Sequence, residues 1–387
     1  MLGKQSMPQR RAVLAAALLV GAAAASPAHP LTRYEFSSRQ MGTEARIVLF
    51  AASEDAARDA ASRAFARVAA LDAVMSDYRE DSELMRLCRR AGSGPVPISD
   101  DLFRVLDASE RLARDSRGAF DVTVGPLTHL WRRARRRGER PDEAEIRAAL
   151  ALTGATKLIL NAHDHTADLR AAGMQVDLGA IGKGYAADEA AAVLKGLSYR
   201  SALVALGGDI VAAGAPPGSR GWTIDVADLR SHGAAPRVVL RDAAVSTSGD
   251  AEQWMEIAGV RYSHIIDPRT GAPLTGRRSV TVIAPRGTLS DGLATAVSVL
   301  GIMDGIALVT RARGTAARIS VANGDEIRTV TSPTWRYFVA GGSGPISVSS
   351  GGLRPAGPPY TLASGAPGPA PLAWLTRDAR SLLFRHR

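Results

Sequence analysis

Asp291 and Thr295 stand four residues apart in an otherwise apolar stretch. On one helix that spacing puts a carboxylate and a hydroxyl on the same face, one turn apart. An oxygen pair of this kind suits Mg2+, a hard cation that takes oxygen ligands and shares its shell with waters and substrate phosphates. The same spacing also describes a helix cap beside a back-bonded hydroxyl, and spacing alone favours that plainer reading. The second chemical residue is Lys183, inside Val176-Asp-Leu-Gly-Ala-Ile-Gly-Lys-Gly-Tyr-Ala-Ala-Asp188. That run passes from an extended segment through a glycine-rich turn into a helix. Free N–H groups at a helix start suit an anion. The alternative is a tight turn that needs glycine for its backbone angles. It is not a phosphate-binding P-loop, because Gly184 stands where Ser or Thr would meet the metal. The third is His264, in Ser263-His-Ile-Ile-Asp267 ahead of a Pro-x-x-Gly turn. A histidine there can take a proton near neutral pH or can simply hold the turn. Asp209 and Asp250 end glycine-containing turns and read as caps or supporting groups.

Periodicity predicts the elements that carry these residues. Residues 44–50 read as a strand. Ala57, Ala61, Phe65, Val68, Leu71 and Met75 recur at helical spacing and predict a core-facing helix over 54–75. Ser99 or Asp100 can cap a helix running to about Ser116, and Pro141-Asp-Glu opens another through about Leu152. Strands are expected at 157–161, 166–169, 174–178, 201–206, 222–226, 237–240, 257–262, 279–284, 316–322, 326–331 and 335–340. Helices are expected at 184–195, from Asp291 to Leu300, and from Met303 to Arg311. Strands at hairpin spacing mixed with helices make the class α+β rather than doubly wound.

The chain has 387 residues, 46% of them hydrophobic, with a formal net charge of +10. Its 48 basic residues include only four lysines, Lys4, Lys157, Lys183 and Lys195. That imbalance reads as a compositional bias toward arginine. The cluster Arg132, Arg133, Arg135, Arg136, Arg137 and Arg140 lacks interleaved aromatics and reads as a solvated helix end or loop that can face a partner rather than nucleic acid. One cysteine, Cys88, rules out an internal disulfide. Residues 1–28 read as an export signal: Lys4, Arg10 and Arg11 precede the apolar run from Ala12 to Ala25, with cleavage expected after Ala28. Arg10-Arg11 with Leu14 resembles a twin-arginine signal, so a periplasmic location is expected. That run is short for a membrane span, so no stable span is expected once it is processed. Residues 29–340 form the expected catalytic domain, and 341–387 a Gly/Pro/Ser-rich tail with a short helix near 371–384.

Other short pieces flank the glycine-rich run. They are Met41-Gly-Thr43, Met75-Ser-Asp-Tyr78, Gly118-Ala-Phe-Asp121, Leu206-Gly-Gly-Asp209, Ser246-Thr-Ser-Gly-Asp250, Tyr262 to Pro273 and Ser290-Asp-Gly-Leu-Ala-Thr295. In that order the set resembles the ApbE family, flavin transferases that move FMN from FAD to a protein threonine. The resemblance spans roughly residues 38 to 340 and implies an ApbE-like, T-fold-related arrangement of mixed sheets with packed helices. It implies that Asp291 and Thr295 are Mg2+ ligands and that the position of Ala180 supplies a third contact. Relatives often carry a hydroxyl there, whereas Ala180 offers only its carbonyl. It also implies FAD contacts at Met41, Tyr78, Ala119, Phe120, Asp121, Asp177, Lys183 and Ile265. Tyr78, Phe120 and Met41 would wall an apolar slot, and Asp121 and Asp177 would accept hydrogen bonds from ribose or adenine. His264 and Asp291 become the catalytic candidates. Where relatives often have an aromatic residue after Asp250, this chain has Ala251. The implied partner is an acceptor flavoprotein of a respiratory or electron-transfer complex. An FAD pyrophosphatase or a non-catalytic flavin-binding accessory protein are the other readings.

Overall fold

Along Thr43–Ala51 the side chains of Ala45, Ile47, Leu49 and Ala51 enter one apolar core while Val48 enters another. A strand with both faces buried lies inside a layered structure. The structure, a computed structural model, describes residues 31–229, 236–249 and 254–340, with the backbone of 347–349 and 352–354. The chain divides into Met1–Pro30, which lies outside the described residues, and a unit beginning at Leu31 that holds everything below. The expected cleavage after Ala28, Asp250, Ala251 and the helix near 371–384 also lie outside them.

Eight strands form one sheet: β1 (Thr32–Gln40), β2 (Thr43–Ala51), β3 (Ala202–Leu206), β4 (Asp209–Ala213), β5 (Ala243–Gly249), β6 (Arg277–Ala284), β7 (Ala316–Asn323) and β8 (Glu326–Thr331). They lie in chain order across the sheet, each antiparallel to the next. Helices α1 (Glu54–Met75), α2 (Glu83–Arg89), α3 (Asp100–Asp115), α4 (Gly125–Arg137), α5 (Glu143–Ala151) and α6 (Gly182–Gly196) are inserted between β2 and β3, and α7 (Gly287–Arg311) joins β6 to β7. Helices α1, α6 and α7 bury their apolar sides in the core on one face of the sheet. The hairpin Trp222–Asp225/Arg237–Leu240 and the short helix Pro333–Tyr337 cover the other. A separate three-stranded sheet, Trp254–Ile257, Val260–Ile266 and Pro273–Thr275, carries His264. The class is α+β, as expected, and all the described strand pairings are antiparallel.

Small residues decide how closely the helices pack. Ala57, Ala60, Ala61 and Ala64 of α1 and Ala186, Ala187, Ala190 and Ala191 of α6 are buried in one core. Helices α6 and α7 come closer still. A Cβ built on Gly184 would stand 2.1 Å from the Gly287 carbonyl oxygen, and one on Gly287 would stand 2.5 Å from that of Gly184. No side chain fits between these backbones. α7 is long and apolar enough to cross a membrane by composition alone. Here its first half packs into the core, and it breaks at Gly301, whose φ is 76°.

Three expected strands differ. Residues 174–178 keep the alternation, with Met174, Val176 and Leu178 buried, but they pair with no sheet; the Asp177 N–H donates to the Val122 carbonyl. The 257–262 strand is two strands, Trp254–Ile257 and Val260–Ile266, around a turn with positive φ at Ala258 and Gly259. Residues 335–340 are not a strand: Pro333–Tyr337 is a 3-10 helix whose Trp335 fills the second core. The arginine cluster ends a helix, as one reading had it, although Arg132 itself is tied inward. Cys88 is buried in α2 and accepts a hydrogen bond from Val176 N–H at 3.4 Å.

The helix contact generates a first prediction. Gly184→Ala should cost about 3 kcal/mol, at the upper end for inserting a methyl into a packed interior, because the obstacle is backbone. Urea unfolding of the purified variant measures it; a loss below 1 kcal/mol, the low end for such insertions, would mean that the helices do not need this contact.

Candidate active site

The period-two alternation of strands positions the first groups. In β4, Val211 faces the helix-side core, so Asp209, two residues earlier, faces it too. In β5, Ala244 faces the same side, and Ser246 and Ser248 follow on it. Register aligns these positions across the sheet: Ala45 pairs with Leu206, Leu206 with Asp209, Asp209 with Ser246, and Ser246 with Val282. Tight turns close the same end. Met41 and Gly42 both have positive φ, 47° and 73°, the geometry of a two-residue hairpin. Gly207, with φ of 59°, lies against Thr43 and donates its N–H to the Glu44 carbonyl.

The glycine-rich run supplies α6, and its spacing explains itself. Gly184 and Asp188 are four apart and both face α7. Gly184 permits the backbone contact. The Asp188 carboxylate accepts from Gly287 N–H at 2.7 Å, Thr288 N–H at 2.9 Å and the Thr288 hydroxyl at 2.7 Å. It therefore caps α7 from a neighbouring helix, where Arg286 gives no side-chain cap. Tyr185 and Glu189 face the other way. The Tyr185 hydroxyl donates to Asp101 at 2.8 Å, and Arg67 bridges Asp101 and Glu189.

The crossing brings Lys183, Asp209 and Asp291 together. Lys183 Nζ is 3.1 Å from Asp209 Oδ2, 3.9 Å from Asp291 Oδ2 and 3.2 Å from the Gly179 carbonyl oxygen. Asp291, 4% exposed, accepts the Gly184 N–H on Oδ2 at 3.0 Å. The anion at the start of α6 is thus the protein's own carboxylate, and Lys183 is held by internal partners. Burial pushes the Asp291 carboxyl up to about 7, with repulsion from Asp209 adding to it and Lys183 opposing. Burial works against the Lys183 charge, yet the two carboxylates outweigh it and raise its pKa. One turn after Asp291, the half-buried Thr295 hydroxyl lies 3.3 Å from Ser248 Oγ. Ser246 and Ser290 join the same strand and helix at 2.7 Å.

The three expected metal contacts, Asp291, Thr295 and the Ala180 carbonyl, all offer oxygen. The Gly184 N–H, four residues after Ala180, goes to Asp291. The Ala180 carbonyl therefore has no hydrogen-bond donor among the described residues. With both carboxylates ionised, Asp209, Asp291 and Lys183 together carry one uncompensated negative charge. These donors fit a hard cation. Among the described residues no cluster of three His, Cys, Asp or Glu side chains forms a metal site, and this set needs only one carboxylate.

A second polar cluster lies beside the turn. Arg132 of α4 pairs with Asp77 and, at 3.2 Å, with Asp177, while its guanidinium lies 4.5 Å from the Tyr78 ring centre. Asp177 Oδ1 accepts the Gly179 N–H at 2.8 Å. Burial raises the Asp77 carboxyl, Asp177 raises it further, and Arg132 opposes both.

Other expected contacts are placed differently. Tyr78 is 77% exposed, a presented ring rather than the wall of a closed slot. The side chains of Ala119 and Ile265 are buried against Val299, and Phe120 is buried beside Gly292 and Ile181. The side chains of these three pack against protein. Asp121 is buried and caps Val122–Val124 through Thr123 N–H and Oγ1, so its hydrogen bonding serves the fold. Met41 is half-buried at the hairpin tip. His264 is exposed on Val260–Ile266, between the buried Ser263 and Ile265. The loop after it is anchored by Trp131, whose Nε1–H donates to the Gly271 carbonyl at 2.8 Å. Sequence reasoning missed two residues. Asp188 was visible as an acid one turn after Gly184. Arg132 was hidden in its cluster and had no signal of its own.

The arrangement gathers a buried lysine, two carboxylates and two hydroxyls at one helix crossing, carried on an α+β scaffold. The model of the ApbE family matches residues 41–319. The FAD:protein FMN transferase of Klebsiella pneumoniae (strain 342) is 32% identical over 350 residues, covering 86% of this chain and 97% of its own length. That of Treponema pallidum (strain Nichols) is 36% identical over 293 residues, covering 71% and 81%. The crystal structure of the flavinyl transferase ApbE from Pseudomonas stutzeri matches with a TM-score of 0.71 at 34% identity, over 79% of this chain and 96% of that one. The chain belongs to the ApbE family.

The buried carboxyl generates a pH prediction. Its pKa in the folded state lies above the ordinary value, so its contribution to stability is full below about 4 and is lost as pH rises through about 7. In metal-free protein, Asp291→Asn should therefore raise the thermal midpoint by a few degrees near pH 8 and by little near pH 5. Scanning calorimetry at the two pH values checks it; an equal shift at both would remove Asp291 titration as the cause.

Proposed function

We propose that this chain is an Mg2+-dependent FAD:protein FMN transferase, moving FMN from FAD to a threonine hydroxyl of an acceptor flavoprotein and releasing AMP. The observation that carries the reading is the buried Lys183–Asp209–Asp291 cluster at the crossing of α6 and α7, in a chain of a family whose relatives bear that name. Asp291, Thr295 and the Ala180 carbonyl would hold Mg2+. When bound, the cation neutralises charge on the phosphates. Lys183 keeps a positive charge beside Asp209 and Asp291, near where those phosphates would lie. The exposed Tyr78 ring offers a stacking surface for a flat heteroaromatic group. The acceptor oxygen attacks the FMN-side phosphorus, the bond to the AMP phosphate breaks, and the hydroxyl proton passes to His264 or a neighbouring carboxylate. An exposed His264 suits a proton that arrives on another protein. A transferase must also keep water from the phosphorus while admitting a protein loop. The acceptor would belong to a respiratory or electron-transfer complex, and the chain would work in the periplasm after export.

The reaction is tested by incubating the protein with FAD, Mg2+ and a threonine-bearing acceptor domain, then weighing the acceptor. It should gain the mass of one FMN in a bond stable to denaturation, and AMP should appear faster with acceptor than without. Asp291→Ala should lower transfer on the order of a thousandfold while FAD binding partly survives. Rapid FMN production without acceptor would replace the transferase with a pyrophosphatase. Tight FAD binding with no AMP under any condition would replace it with a non-catalytic accessory protein.

Export is tested on periplasmic material. N-terminal sequencing should begin near His29, and changing Arg10 and Arg11 to Lys should block export. A full-length cytoplasmic product would sink the claim, and unaffected export of the double variant would point to the general secretory route.

A further inference from the structure

Arg132 stands in a run that reads as solvated surface, yet it binds differently from the exposed arginines of other helices. The exposed arginines of α1 and α3 pair with acids one turn away on their own helix, as in Arg58–Glu54, Arg63–Asp59 and Arg111–Asp107. Arg132 instead reaches two carboxylates on separate segments, Asp77 after α1 and Asp177 before the glycine-rich turn. Their side chains are only 9% and 11% exposed. Without a cation between them two such groups repel. The same guanidinium lies 4.5 Å from the Tyr78 ring centre, within cation–π range. Asp177 in turn accepts the Gly179 N–H and so fixes the entry to α6.

We infer that Arg132 is a positioning residue for FAD: it locks the presented Tyr78 ring and the Asp177–Gly179 turn into one rigid wall of the binding site. This rests on the transferase reading, which makes FAD the ligand. The Tyr78 ring is otherwise exposed, and its position comes from the guanidinium behind it. A ring held in place loses less freedom when a flat ligand stacks on it, so affinity depends on the residue behind the ring.

The test measures FAD binding by quenching of flavin fluorescence, with thermal stability alongside. Arg132→Ala should weaken FAD binding roughly tenfold and reduce the quenching at saturation. Arg132→Lys keeps a charge between the carboxylates but loses the flat guanidinium, and should fall between Arg132→Ala and wild type. Adding Asp77→Asn to Arg132→Ala removes the carboxylate repulsion. The double variant should recover stability without recovering FAD affinity. Recovery of both together would mean that Arg132 is only structural and would overturn the inference. A folded Arg132→Ala with unchanged affinity would overturn it too. If Arg132→Ala does not fold, Arg132→Lys decides, with wild-type affinity counting against. Wild-type protein that does not quench FAD would overturn the transferase reading, and the inference with it.

Discussion

The site depends on a contact between two backbones. Gly184 and Gly287 let α6 and α7 meet with no side chain between them. That approach puts the Gly184 N–H within 3.0 Å of Asp291 and the Asp188 carboxylate on the first N–H groups of α7. Each tie repairs a defect the approach creates. A helix start leaves donors unsatisfied, and each helix here supplies the other's missing acceptor. Asp291 satisfies α6 and Asp188 satisfies α7. The exchange uses charged acceptors, which bond backbone donors more strongly than neutral ones. Moving the helices apart would strand two carboxylates and at least three N–H groups together, so the crossing is held by more than apolar burial.

Against this pair the large sheet supplies the remaining groups by alternation and register. Asp209, Ser246 and Ser248 come from β4 and β5, and they share the helix-side face because strand positions two apart do so. Ser246 meets Ser290 and Ser248 meets Thr295, so the hydroxyls join strand to helix at two positions five residues apart on α7. The sheet therefore fixes the rotation of α7. Turning α7 about its axis would break both hydroxyl contacts and swing Asp291 from Gly184.

What the sequence made legible follows the strength of its periods. The 54–75 helix was expected over the limits it has, because its apolar stripe runs unbroken. The β4 and β5 strands were missed because β4 has five residues with four apolar in a row, and β5 mixes Ala, Val and hydroxyl residues, so neither carries a clear alternation signal. α4 was missed because its arginines outweigh the buried face of Leu127, Leu130, Trp131 and Ala134. Within the site, the motif residues were visible but not their work. The glycine-rich run looked like an anion turn. Its glycine at 184 serves helix contact, and its anion is Asp291 of the same chain. That partner lies 107 residues away, and only the tertiary crossing reveals it.

The two carboxylates of the cluster are not equivalent. Lys183 stands 3.1 Å from Asp209 and 3.9 Å from Asp291. At an effective dielectric constant of about 20 the nearer pair gains about 1 kcal/mol more Coulomb energy. Asp209 is therefore the carboxylate that the lysine compensates. Asp291 has the more distant lysine in a buried setting, and burial pushes its carboxyl up. Thr295 follows Asp291 one turn along the same helix, and Asp291 has drawn the N–H that would otherwise have served the Ala180 carbonyl. The lysine therefore divides the work. It holds Asp209 more closely than Asp291, which takes the Gly184 N–H as its second partner and so ties the lysine cluster to the helix crossing.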